Sequence, residues 1–144
     1  IIYESIWKHT QMMAEALAEG IGRSGVEVKV FKASITSDAL MMKELLDAKA
    51  ILVGSGCYNN EMANNIAGFL TKLKTCHIKG KKGLGFGSYG WYRNTSASIN
   101  QMLEDAGITL LSEQVLAQNY TPSEQDLDQY CALGTQIAER IKQE

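Results

Sequence analysis

Strand-like and helix-like patterns alternate five times along this chain, and no other feature limits its fold so strongly. "IIYES" opens as a strand. Met13, Leu17 and Ile21 then recur at i, i+4 and i+8, with Ala14 and Ala18 beside them and Glu15 and Glu19 turned away, which predicts an amphipathic helix. "VEVKVF" at 26–31 alternates as a strand with one wetter face, and Met41, Met42, Leu45 and Leu46 form the apolar side of a short second helix. "AILVGSG" at 50–56 is almost wholly apolar, as a strand covered on both faces must be. Residues 63–76 have helical spacing through Ile66, Phe69, Leu70 and Leu73, and "KGLGFGS" at 82–88 is the fourth strand. A helix over 95–106, a strand over 108–116 and a closing helix complete the series. In "TPSE", Thr121 is expected to cap that last helix, with Pro122 at its first position and Glu124 completing a capping box. Leu127, Tyr130, Cys131, Ile137 and Ile141 then face inward.

Parallel strands need crossovers, and right-handed crossovers alone pack well, so five alternations with short connections predict a five-stranded parallel sheet with helices on both faces. This is a doubly wound, three-layer α/β sandwich. With 144 residues, 45% of them apolar, the chain suits one domain. In such sheets ligands bind beyond the carboxyl ends of the strands, where strand order reverses. The loops after strands one, three and four are therefore where chemistry is expected.

Charge and composition narrow the partners. Fourteen basic against sixteen acidic residues give a net charge of −2, which lacks the field that nucleic acid binding draws on. The longest apolar runs, such as "AILVG" at 50–54, are too short to span a bilayer, and no basic-then-apolar leader precedes the first strand. A cytoplasmic location is expected. Cys57, Cys76 and Cys131 form no close pair and no metal clip, which fits a reducing compartment. The chain opens on Ile1 and Ile2, in mid-strand and without methionine, as an excised domain would.

Three loops stand out. In the first, Ser5, Trp7, His9 and Thr10 lie between a strand end and a helix start, where unpaired N–H groups and the helix dipole favour an anion. One phosphate held mainly by neutral donors is the expected guest, because the Gly-rich run ending in Lys and Ser or Thr is missing. Capping by Ser5 or Thr10 is the competing reading. "GSGCYNN" at 54–60 lets a flat ligand approach the main chain and offers Asn side chains to a polar ring edge. "GSYGWYRN" at 87–94 holds Tyr89, Trp91 and Tyr92, a stacking platform for a planar heterocycle, with Arg93 beside it as either a tuning charge or a solvated one. Phosphate plus planar ring describes a mononucleotide such as FMN.

On these stretches the chain resembles the flavodoxin-like domain of flavodiiron proteins, also called A-type flavoproteins. "YESIWKHT" is similar to that family's phosphate loop, "GSGCYNN" to its middle loop and "GFGSYGW" to its third, the most specific of the three. The resemblance implies strand order 2-1-3-4-5 and bound FMN. It puts the phosphate around Ser5, Ile6, Trp7, Lys8, His9 and Thr10, and the isoalloxazine against Ser55, Gly56, Cys57, Tyr58 and Asn59 on one loop and Ser88, Tyr89, Gly90 and Trp91 on the other. Lys8 stands where the family usually has Gly, and His9 where it has a small hydroxyl. Gly56 and Cys57 replace Pro and Thr, and Tyr92, Arg93 and Asn94 replace small or acidic residues. Lys8 and His9 add positive potential beside a phosphate. Cys57 reads more simply as a packing residue than as a redox thiol.

The implied function is electron relay by a bound flavin, which needs no separate acid, base or nucleophile. The histidines are His9 and His77 alone, with no carboxylate–histidine cluster of metal-ligand spacing. By the resemblance, a di-iron site that reduces oxygen or nitric oxide would sit in an upstream metallo-β-lactamase-like domain of a longer parent, in a head-to-tail homodimer, with a rubredoxin-like protein or a reductase as donor. Oxygen or nitric oxide reduction by this domain alone is not expected. Three alternatives remain. One is an NAD(P)H-dependent FMN quinone reductase, and one a flavin-free docking or dimerisation module. The third, a phosphoacceptor domain, is disfavoured because Glu4 is the only acid at the ends of strands one and three.

Overall fold

The computed structural model describes residues 1–91 and 94–143. In chain order the elements are β1 (Ile2–Glu4), α1 (His9–Arg23), β2 (Phe31–Lys32), α2 (Asp38–Asp47), β3 (Ala50–Tyr58), β4 (Glu61–Met62), α3 (Asn64–Thr75), β5 (Lys82–Tyr89), α4 (Thr95–Asp105), β6 (Thr109–Leu110), β7 (Leu116–Asn119) and α5 (Glu124–Lys142). The sheet runs β2-β1-β3-β5-β6, all parallel, with β7 also parallel to β5 and β4 antiparallel to β3. Counted by strand position this is the expected 2-1-3-4-5 arrangement, with its fifth strand in two pieces and a short hairpin added to the third.

Side-chain alternation along β3 and β5 divides the core. Ile51 and Val53 face α2, α3 and α4, where Met41, Leu45, Ile66, Phe69, Leu70, Leu73, Ile99 and Leu103 close one layer. Leu52, Leu84 and Phe86 face α1 and α5, against Met13, Leu17, Ile21 and Ile137. On α5, Ile137 is buried, whereas Leu127, Tyr130, Cys131 and Ile141 are half-buried. Leu46, expected on the inner side of α2, is 64% exposed, because Met41 and Leu45 already cover the sheet there.

Three expectations about local structure are corrected. Residues 26–30 of "VEVKVF" do not form a strand. β2 begins at Phe31, which pairs with Ile2, and before it the Ile1 amine donates to the Lys29 carbonyl at 2.7 Å. The strand expected over 108–116 splits: the Leu111 N–H still donates to the Gly83 carbonyl at 2.8 Å, and pairing with β5 resumes only at Phe86↔Leu116. Asn100 from α4 fills the gap, its Oδ1 accepting the Gly85 N–H at 2.6 Å. A Cβ at Gly85 would stand 2.8 Å from that same oxygen, so this approach needs glycine. Finally, α5 is capped by Ser123 and not Thr121. Ser123 Oγ accepts the Asp126 N–H at 3.2 Å while the Asp126 carboxylate accepts the Ser123 N–H at 2.8 Å. The Thr121 hydroxyl is paired elsewhere, with His9.

Candidate functional site

The carboxyl ends of β1, β3 and β5 converge on one edge of the sheet, and the three loops singled out in the sequence meet there. Ser5, Ile6, Trp7 and His9 from the first, Gly56, Cys57 and Tyr58 from the second, and Ser88, Tyr89 and Gly90 from the third line a cavity of about 200 Å³. Tyr120, which the sequence did not single out, lines it as well. A larger cavity of about 310 Å³ opens elsewhere, walled mainly by aliphatic side chains such as Ile21, Val26, Leu45 and Ile51. It includes none of these loop residues.

The first loop is shaped by a single backbone conformation. Lys8, the residue before α1, has φ 66°, in the left-handed region that a side chain disfavours, and α1 starts with no side-chain cap. The first-turn N–H groups of a 15-residue helix are thereby left without a side-chain acceptor. Capping by Ser5 or Thr10 does not occur: the Thr10 hydroxyl is buried and paired with Ser88 Oγ at 2.8 Å, joining the first loop to the third. The Ser5 N–H donates to Glu4 Oε1 at 2.9 Å, and Glu4 Oε2 accepts from Asn65 Nδ2 at 2.6 Å. Glu4 is 8% exposed, a buried carboxylate held by neutral donors, and it ties the loop to α3.

The middle segment is less of a loop than its glycines suggest. β3 continues to Tyr58 and turns back through Asn59 and Asn60, both left-handed at φ 50° and 67°, into β4. Two residues with positive φ suit a tight hairpin, and Asn tolerates that region better than most side chains. Ser55 lies inside: its buried hydroxyl donates to the Gly56 carbonyl at 2.7 Å and accepts the Ala63 N–H at 2.9 Å. Asn59 is exposed at the hairpin tip, outside the cavity lining. The Tyr58 ring lies over Gly56, where a Cβ would come within 3.0 Å of its hydroxyl oxygen. Burial pushes the Tyr58 phenol up, partly opposed by a hydrogen bond from the Ile6 backbone.

In the third loop Tyr89 and Gly90 line the cavity, while the next residue, Trp91, is 96% exposed at its edge and not in its lining. Tyr92 and Arg93 lie outside the described residues. Trp7 and Ile6 are also exposed, so the rim of the cavity is unusually apolar for a protein surface. Lys8 is exposed beside it. Among the described residues no group of three or more His, Cys, Asp or Glu side chains is placed to hold a metal ion, and no helix is long and apolar enough to cross a membrane.

The sequence profile of the flavodoxin family matches residues 1–134. The chain belongs to the flavodoxin family. Flavodoxins bind FMN, and FMN is the cofactor of this redox domain. It is 38% identical over 141 residues to a nitric oxide reductase of Moorella thermoacetica, a match covering 98% of this chain and 35% of that protein. Rubredoxin-oxygen oxidoreductase of Megalodesulfovibrio gigas is 31% identical over 142 residues, again with 35% of its length covered. Among solved structures, rubredoxin oxygen:oxidoreductase from Desulfovibrio gigas superposes with a TM-score of 0.93 at 29% identity, over 99% of this chain and 35% of that one. An archaeal flavodoxin matches along almost its whole length, with 98% and 96% coverage, TM-score 0.88 and 32% identity. The flavodoxin domain thus spans about a third of the length of the curated relatives it matches.

The donor set suits the cofactor. A monoester dianion would meet the uncapped helix start and the Ser5 and Ser88 side chains of the cavity lining, with the Lys8 charge exposed beside it, and a planar ring would meet the tyrosine and glycine surface of the other walls.

Proposed function

We propose that this flavodoxin domain relays electrons through FMN to a di-iron site in another domain of a longer parent protein, where oxygen or nitric oxide is reduced. The observation that carries the binding half is the uncapped start of α1, opening onto a cavity that also draws walls from the β3 and β5 loops. Ser5 to Thr10 hold the phosphate, chiefly through main-chain N–H groups, with Lys8 and His9 adding positive potential. Gly56, Cys57 and Tyr58 on one side and Ser88, Tyr89 and Gly90 on the other enclose the ring system, with Asn59 and Trp91 at its open edge and Ser55 bracing the hairpin from within. The bound flavin supplies one- and two-electron chemistry, and the protein orients it and sets the charge around it. The buried Glu4 carboxylate disfavours added negative charge nearby and Lys8 favours it, so these two residues oppose one another in that role.

The relay half rests on the matches to proteins named for nitric oxide and oxygen reduction, of which this chain covers 35%. In this reading the rest of the parent carries the metallo-β-lactamase-like di-iron domain, a head-to-tail homodimer brings flavin and iron together, and a rubredoxin-like protein or a reductase donates electrons. The exposed Trp7, Ile6 and Trp91 at the cavity rim support a docking face there.

Titrating the apo domain with FMN and with riboflavin, followed by flavin fluorescence, tests the binding half: FMN is expected to bind far more tightly. Equal weak binding of the two flavins removes the phosphate assignment. NAD(P)H oxidation by the isolated domain with a quinone as acceptor would replace the relay reading with direct quinone reduction.

A further inference from the structure

The loop after β7 forms a fourth wall of the cavity. Tyr120 is held there by unusual means. Its backbone sits at φ 57°, a conformation that is costly for a bulky L-residue, and the residue remains 53% exposed, so burial does not repay that cost. The loop is nonetheless fixed on every side. The Tyr120 N–H donates to the Tyr89 carbonyl at 2.9 Å, and Asn119 Nδ2 donates to the Gly90 carbonyl at 2.9 Å. Gln118 Oε1 accepts from the Tyr130 hydroxyl at 2.7 Å, and the Thr121 hydroxyl meets His9 Nε2 at 2.9 Å. The ring itself lies against Gly90, where a Cβ would stand 3.5 Å from Tyr120 Cε1, an ordinary van der Waals contact. Strain that is maintained by four neighbouring residues, Tyr89, Gly90, Tyr130 and His9, and not repaid by packing points to a ligand that the ring must meet.

We propose that Tyr120 is a cofactor-contacting residue, its ring forming a wall between the first and third loops against which the flavin nucleotide packs. This rests on the FMN reading above and adds a fourth loop to the binding residues. The contact is made by the ring face and not by the hydroxyl, so FMN and riboflavin should both feel its loss, and Phe should replace Tyr. His9 and Thr121 act as positioning residues that keep this wall in place.

Tyr120→Gly separates this role from a structural one, because glycine relieves the positive φ while deleting the ring. The apo variant is expected to unfold at the same urea concentration as the wild type or a higher one. Its dissociation constants for FMN and riboflavin, read by fluorescence quenching, should both rise about tenfold, in the range an aromatic contact supplies. Tyr120→Phe should bind both flavins within twofold of wild type. FMN and riboflavin affinities within twofold of wild type in Tyr120→Gly would overturn the proposal. So would an FMN-specific loss in Tyr120→Phe, which would make the hydroxyl a phosphate ligand instead. A wild-type domain that binds neither flavin defeats the underlying FMN assignment, and the inference with it.

Discussion

Two glycines two residues apart on α1 are expected to respond to the same substitution with opposite signs. At Gly20 an added Cβ would lie 1.8 Å from the Cys131 carbonyl oxygen, 2.8 Å from its carbon and 2.9 Å from the Thr135 nitrogen. All three are α5 backbone, which has no rotamer to change. Ordinary contact begins near 3.4 Å, so the helices must part by about 1.6 Å, the difference between 3.4 and 1.8. A gap of that size forfeits most of the dispersion contact along a close-packed seam. It also strains the hydrogen bond from Thr135 Oγ1 to the Gly20 carbonyl. Overpacking usually costs about 1–3 kcal/mol, and a rigid backbone partner puts Gly20→Ala at the upper end, about 3 kcal/mol. Gly22 has nothing within 4 Å of its added Cβ and no positive φ, so Gly22→Ala should stabilise by about 0.5–1 kcal/mol through helix propensity and the unfolded chain. Urea unfolding followed by far-ultraviolet circular dichroism should therefore separate the two variants by about 4 kcal/mol with equal m-values. If Gly20→Ala proves as stable as Gly22→Ala, the α1–α5 seam is not the close backbone contact described here.

Asn100→Ala should cost about 1–3 kcal/mol by leaving the Gly85 N–H buried without its acceptor, and a fall in thermal midpoint of several degrees would report it. Trp91→Ala should leave apo stability unchanged, since that side chain is 96% exposed, and should weaken FMN binding severalfold; unchanged affinity in fluorescence titration removes Trp91 from the site. The Ser123 backbone and side-chain hydrogen bonds hold the Asp126 carboxyl below the usual carboxylate range. The stability it adds is therefore complete above the pKa of Asp in the unfolded chain and disappears as the pH falls through the lowered folded value. Ser123→Ala should cost about 1 kcal/mol at neutral pH, and that difference from wild type should shrink in urea titrations carried into acid.

The sequence by itself determined the layers. A period of 3.6 in "MAEALAEGI", an unbroken apolar run in "AILVG" and short connections leave a doubly wound parallel sheet as the arrangement that buries every apolar face. Short-range chemistry also made three of the four cavity walls legible, because glycines, hydroxyls and aromatics cluster locally after strands one, three and four. What needed tertiary structure was every feature that depends on which residue finds which partner. Thr121 reads as a cap until His9, 112 positions away in sequence, is seen to take its hydroxyl. Residues 108–116 read as one strand until Asn100 supplies a ladder bond from a helix. Tyr120 reads as one aromatic residue two positions before a proline, and only the pairing of β7 with β5 carries it to the third loop. Periodicity is fixed by backbone geometry and is written in neighbouring residues, whereas a hydrogen bond's partner is set by the packing of distant segments.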